Sequence, residues 1–347
     1  MHDAIRYYIG FNLVPGIGPL RLARLIEQCG SIAAAWHADE LAMTAAGLDA
    51  RSMASLRAAR QTLDLDAELA RLRAAGVTPV AITDPAYPPV LRMIPAPPPL
   101  LYVRGAITPA DQRAVAIVGT RRPSNYGREV TRRIARDLAA AGVTIISGLA
   151  LGIDTIAHTA ALDAGGRTIA VLACGVDRVY PERNHALAER IITAGALISD
   201  YPLGTPPAPL NFPPRNRIIA GLSLATLVVE ASEQSGALIT VQFALDQGRD
   251  VMAVPGSIFS PLSAGPHRLI RDGAAIVTDA GDVLAALGLD KSSDAAESPL
   301  ELALTAEEAA IYGAVEAEPQ YIDAIGRTAG LSAAATAAAL ALLELKG

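Results

Sequence analysis

The 347 residues allow two or three domains at about 150 residues each. With 51% hydrophobic and 18% charged residues the chain has ample material for cores, which excludes wholesale disorder. A net charge of −6 excludes a protein that is basic throughout, while leaving room for a local basic pocket.

Cys29 and Cys174 form no CxxC, and the histidines form no HxxxH or HExxH pattern. A disulfide scaffold and a cysteine- or histidine-built metal site are therefore not expected, and a reducing cytosol is. No uncharged stretch reaches the roughly 20 residues of a membrane span. The amino terminus, MHDAIRYYIGF, lacks the regions of a signal peptide. A soluble, cytoplasmic protein is expected.

Residues 1–75 read as a small helical domain, with Leu22, Leu25, Ile26, Leu56, Leu63, Leu69 and Leu72 at helical spacing. Pro15-Gly16-Ile17-Gly18 is a turn of the helix-hairpin-helix kind. It either offers backbone N–H groups to a phosphate or packs two small helices. Residues 76–112 carry seven prolines between Asp84 and Leu101, which predicts an extended connector.

Residues 113–288 alternate strand and helix. Apolar runs at 114–118, 143–146, 168–172, 196–198, 224–229 and 251–254 are separated by helix-length segments at 127–141, 153–164, 184–194 and 238–247. Runs apolar on both faces and joined by helices predict an α/β fold, a doubly wound, mostly parallel sheet covered on both sides. Residues 289–300 read as a polar linker. In 301–347, Thr305 with Glu308 predicts a capping box, and two further helices around Gly330-Leu331-Ser332 predict a helix-turn-helix without the β-wing of a winged helix.

Ligands of a doubly wound sheet bind at the carboxyl ends of its strands, where three loops are informative. The first, GTRRPSNYG, supplies Gly119, Thr120, Arg121, Arg122, Ser124, Tyr126 and Gly127, a set suited to phosphate. It is neither GxGxxG nor GxxxxGK[ST], so no nicotinamide or P-loop nucleotide cofactor is expected. The second, SGLALGID, supplies Ser147, Gly148, Leu149 and Gly152, with Asp154 read as a helix cap. The third, EASEQSGALIT, supplies Ser235 and Gly236. Three converging helix N-termini would hold several phosphates, as an oligonucleotide backbone requires.

Further on, NFPPRNR offers Phe212, Arg215, Asn216 and Arg217, and Arg183 with Asn184 lies nearby. Aromatic surface interleaved with arginine is the working combination of single-strand binding, although Phe212 also reads as a loop anchor. Between Arg113 and Arg136 seven arginines face one acid, Glu129. Arg128, Arg132 and Arg136 form a helix stripe that reads as a solvated outer face. Glu230 ends a strand and is the one candidate general base, without a visible partner. His158 reads as a core or surface residue.

The stretches DPAYPPVLRMI, AIVGTRRPSNYG, IISGLALGIDTIAHTAAL, FPPRNRIIAGLS and VVEASEQSGALITVQFALDQGRDVMAVPG resemble, in order and spacing, the DNA-processing protein A (DprA/Smf) family. That resemblance implies a Rossmann-like domain, a homodimer formed through it, and single-stranded DNA as partner. It also implies loading of the RecA recombinase during natural transformation, with no enzyme activity. Phosphate binding carries over to Gly119, Thr120, Arg121 and Ser124 and to the SGL and SGA loops. Three features depart from the pattern: Glu182 follows Tyr180-Pro181, His267 replaces an asparagine, and the tail lacks a wing. A nucleotide-binding hydrolase of phosphoribohydrolase type, built on Glu230 with Ser235-Gly236, is the alternative.

Overall fold

Leucine spacing and acidic caps build the amino-terminal helices: α1 (His2–Asn12), α2 (Pro19–Cys29), α3 (Ile32–Trp36), α4 (Glu40–Ala45), α5 (Ala50–Thr62) and α6 (Leu65–Ala74). Ser31, Asp39, Asp49 and Asp64 each accept backbone N–H groups at the start of α3 to α6. The Pro15–Gly18 turn serves packing. Arg21 donates to Gly16 O at 2.8 Å, to Ser52 Oγ at 2.9 Å and to Asp49 at 2.9 Å, tying one hairpin to the next. The computed structural model describes residues 2–289, 305–315 and 320–346.

The segment 76–112 is not a connector. It contributes β1 (Thr78–Ala81), the single turn α7 (Pro89–Arg92) and β2 (Leu100–Gly105), and β2 pairs antiparallel with both β1 and a later strand of the main sheet. Leu100 to Val103 are all buried, and Tyr87 is fully buried with its hydroxyl donating to Pro98 O at 2.9 Å. Its prolines sit at the sheet edge and between the strands, where no ladder donor is required.

The predicted alternation follows: β3 (Ala114–Val118), α8 (Asn125–Ala140), β4 (Thr144–Ser147), α9 (Ile153–Asp163), β5 (Thr168–Val171), α10 (His185–Ala194), β6 (Ala196–Ser199), α11 (Phe212–Gly221), β7 (Ala225–Val228), α12 (Ala237–Asp246), β8 (Asp250–Ala253), α13 (Ala264–Arg271), β9 (Ala275–Ile276) and α14 (Ala280–Ala286). The sheet order is β1-β2-β6-β5-β4-β3-β7-β8-β9, parallel from β6 to β9. Alternate residues of β2, β5 and β6 enter two cores. One of these cores also contains Phe11, Leu25, Trp36 and Leu56, so the first six helices share their interior with the sheet. Residues 1–75 are thus not a separate compact unit, since Met1–Gly288 forms one.

Leu289–Gly347 is a second unit. Its α15 (Ala306–Ala314), α16 (Ile322–Ala329) and α17 (Ala333–Lys346) pack around Ile311, Ala314, Ile325 and Ala339. The Thr305–Glu308 capping box is present, and Gly330 ends α16 in the left-handed region. All but the first residue of the predicted linker lies outside the described residues. Among the described residues no single helix is long and apolar enough to cross a membrane.

Candidate nucleic-acid interface

In the sheet, β3 has β4 on one side and β7 on the other, so the chain leaves the β3–β7 boundary in opposite directions. That is the switch point, where a doubly wound sheet opens a crevice. The three loops meet there. Thr120 N donates to Glu230 O at 2.7 Å, and Ile153 N donates to Thr120 O at 3.2 Å, which stitches all three together.

Beside the stitch lies a cleft of about 350 Å³. Gly119, Thr120 and Arg121 form one wall, Phe212, Arg215 and Asn216 a second, and Ser235, Gly236 and Thr240 a third. The first turn of α12 opens into it. No side chain caps Gly236; Ser235 Oγ takes Ala237 N at 3.3 Å, Ser235 O takes Leu238 N at 3.0 Å and Gly236 O takes Ile239 N at 3.2 Å. The N–H groups of this turn are thus already engaged, and what it offers an anion is the positive end of the helix dipole.

Arg121 is exposed, and its guanidinium carbon lies 5.7 Å from the centroid of the Phe212 ring. Phe212 is half-buried: Arg215 lies 5.8 Å from the same centroid, and Tyr180 meets it edge-on with centroids 5.8 Å apart. The ring is therefore both an anchor for its loop and an aromatic surface at the cleft.

Several predicted contact residues are used inside the fold instead. Arg215 is 4% exposed; it donates to the carbonyls of Gly148 and Val171 and to Asn216 Oδ1. Burial pulls its guanidinium down to about 10, opposed by the charge of Asp154. Burial likewise raises the Asp154 carboxyl, opposed by Arg215. Arg217 pairs with Asp200 at 2.7 Å and donates to Ala96 O, so it braces the proline-rich hairpin. Ser147 is buried and donates to Ile117 O. Asn184 is buried and holds Leu149 O at 2.8 Å, where Leu149 sits at φ 57°. Asp154 does not cap α9; it accepts from Gly148 N and Ala150 N and closes the second loop on itself.

The start of α8, predicted to take phosphate, is also filled from within. Glu230 is 2% exposed, and its carboxylate accepts from Ser124 Oγ at 2.5 Å and Ser124 N at 2.9 Å. Ser124 Oγ in turn accepts from Gly127 N. The space a Gly127 side chain would need is taken by that carboxylate. The hydrogen bonds of Glu230 tie down a loop, and Glu230 does not line the cleft that holds Ser235 and Gly236. Tyr126 points away from the cleft and donates to Pro255 O at 2.6 Å. Arg122 and Arg183 are exposed, but neither lines the cleft. His158 is a core residue, bonded to Thr168 Oγ1 at 2.6 Å, and burial lowers it to about 3. His267 bonds Gly256 O at 3.0 Å and holds the loop after β8. Of the charged stripe, Arg132 pairs with Glu129 and Arg136 with Asp137, both in solvent.

Sequence reasoning missed Tyr180, whose signal was an aromatic in the loop after β5. It also missed Ser232, Ile239 and Thr240, which line the third wall and carry no distinctive signal.

A family model described as DNA recombination-mediator protein A matches residues 78–288, and one described as DprA winged helix domain matches 295–347. The chain belongs to the DprA/Smf family. Protein Smf of Synechocystis is 39% identical over 287 residues, 81% of this chain and 72% of that one. The DNA processing protein DprA of Bacillus subtilis is 43% identical over 216 residues, covering 62% of this chain and 73% of its own. In structure the chain is similar to DprA of Streptococcus pneumoniae, with a TM-score of 0.72 and 36% identity over 81% of this chain and 97% of that one. It is also similar to DNA processing protein A of Helicobacter pylori, with a TM-score of 0.56 and 30% identity over 62% of this chain and 96% of the other. The latter is described for its unique single-stranded DNA binding mode.

Proposed function

We propose that this DprA/Smf protein is a single-stranded DNA-binding recombination mediator, not an enzyme. On this reading it acts in the cytoplasm as a homodimer, covers incoming DNA during natural transformation and presents it to RecA. The observation that carries the reading is the cleft at the switch point. There an exposed Arg121 lies over the half-buried ring of Phe212, beside the N-terminal turn of α12. A phosphate fits between Arg121 and the first turn of α12, and a base fits against Phe212. Duplex DNA keeps its bases stacked inside, so a cleft that uses a base face favours single strands.

The test is fluorescence anisotropy with labelled oligo-dT and a matching duplex at low and high salt. Binding should prefer the single strand and weaken with salt, since each neutralised phosphate contributes a slope of about 0.7. Arg121→Ala should weaken binding to all sequences alike; unchanged affinity in that variant contradicts the site. Filament formation by RecA on a strand coated with single-strand-binding protein, with and without this protein, tests the mediator step. Light scattering tests the homodimer.

A further inference from the structure

The crevice at a switch point is ordinarily the phosphate site of a doubly wound sheet, and the start of α8 is its natural receptor. Here α8 has 16 residues, and its first turn is aimed at the crevice between β3 and β7. The place is taken. The Glu230 carboxylate receives Ser124 N and Ser124 Oγ, as a phosphate oxygen pair would, and is buried against Gly127. A hollow beside it, mostly apolar in its lining, is bordered by Glu230, Ser124, Tyr126 and three serines of the loop after β8; the Ser124 hydroxyl is given to Glu230 and that of Tyr126 to Pro255 O. An N–H and a hydroxyl at a helix start, both donated to one anion, are the donors a phosphate site uses, with the anion here supplied by the chain.

We propose that Glu230 is a specificity-determining residue that stands in the place of a phosphate at the α8 N-terminus. It keeps inorganic phosphate and mononucleotide phosphates out of the crevice. Two negative groups cannot share that turn, so the carboxylate excludes a phosphate both by occupying its place and by charge. The neighbouring cleft, with the exposed Arg121 in its wall, is left as the phosphate-accepting place. The inference does not depend on whether that cleft holds a DNA strand.

The experiment compares the full chain with Glu230→Ala and Glu230→Gln. Melting temperature is followed in inorganic phosphate and in chloride at matched ionic strength, so that the general effect of phosphate on folding is read from the wild type. Glu230→Ala removes the anion and opens its place. It should melt lower in chloride and recover roughly 2–4 °C more than the wild type when phosphate is added in large excess over its Kd. Glu230→Gln fills the place with a neutral amide and should show no gain beyond the wild type. If Glu230→Ala does not fold in chloride, its refolding in phosphate supports the proposal and its failure in both overturns it. A folded Glu230→Ala with no extra gain, or a saturable gain in the wild type or in Glu230→Gln, also overturns it.

Discussion

Arg121 and Arg215 approach the same phenylalanine, yet they stand at opposite extremes of solvation. Arg121 is exposed and keeps donors for a ligand, whereas Arg215 spends its donors on two backbone carbonyls and Asn216. Removing a buried charge that satisfies such groups costs roughly 3–5 kcal/mol of folding stability. Losing an exposed charge-assisted hydrogen bond to phosphate costs roughly 1.5–3 kcal/mol of binding instead. Urea titrations should therefore find Arg215→Ala strongly destabilised and Arg121→Ala near wild type, with the order reversed for strand affinity in the folded variants. His158 gives a second prediction. Its folded value of about 3 lies below the ordinary 6.5, so its contribution is complete above 6.5 and is lost as the pH falls from 6.5 toward 3. In His158→Gln the melting temperature should be lower near neutrality and fall less steeply with acid; an unchanged slope in calorimetry would remove His158 as a source.

At the scale of elements, the turn after β4 owes its shape to close approach. A Cβ on Gly148 would lie 2.7 Å from Arg215 Nη2 and 3.0 Å from Asp154 Oδ2, both locked in place. Gly148→Ala should lose about 1–3 kcal/mol of stability by overpacking, and strand affinity should fall with it as the second loop shifts; a Tm equal to wild type would refute the packing. Six of the seven strands from β3 to β9 were readable because each is an apolar run on both faces. The remaining one, β9, is only two residues long. β1 and β2 were hidden by the prolines around them, since Leu100–Val103 follows three prolines and reads as their continuation. The glycine and arginine content of the site was legible too. Which arginines face solvent was not, because Arg215 and Arg217 are satisfied by Val171, Asp200 and Ala96, partners far off in sequence. Ser124 and Glu230, 106 positions apart, meet only because β7 lies beside β3.

For the whole molecule, the amino-terminal helices and the sheet are one structure. Phe11, Leu25, Trp36 and Leu56 share a core with Leu172 and Leu197. A chain starting at residue 76 should expose that face of the sheet and collect in inclusion bodies; a soluble, cooperatively melting product would show that the helices are dispensable. Arg71 and Asn12 add polar ties to the loop after β6, donating to Leu203 O and Asp200 O.

The antiparallel seam between β2 and β6 also sets a timetable. β2 ends at Gly105, and its partner Ala196 is made about 90 residues later. At roughly 5–20 residues per second, the ribosome takes about 5–20 s to deliver it. During that interval the hairpin and the helices before it lack the strand that completes their shelter. The nascent chain must then wait, shielded by a chaperone or loosely collapsed, until β6 has cleared the exit tunnel.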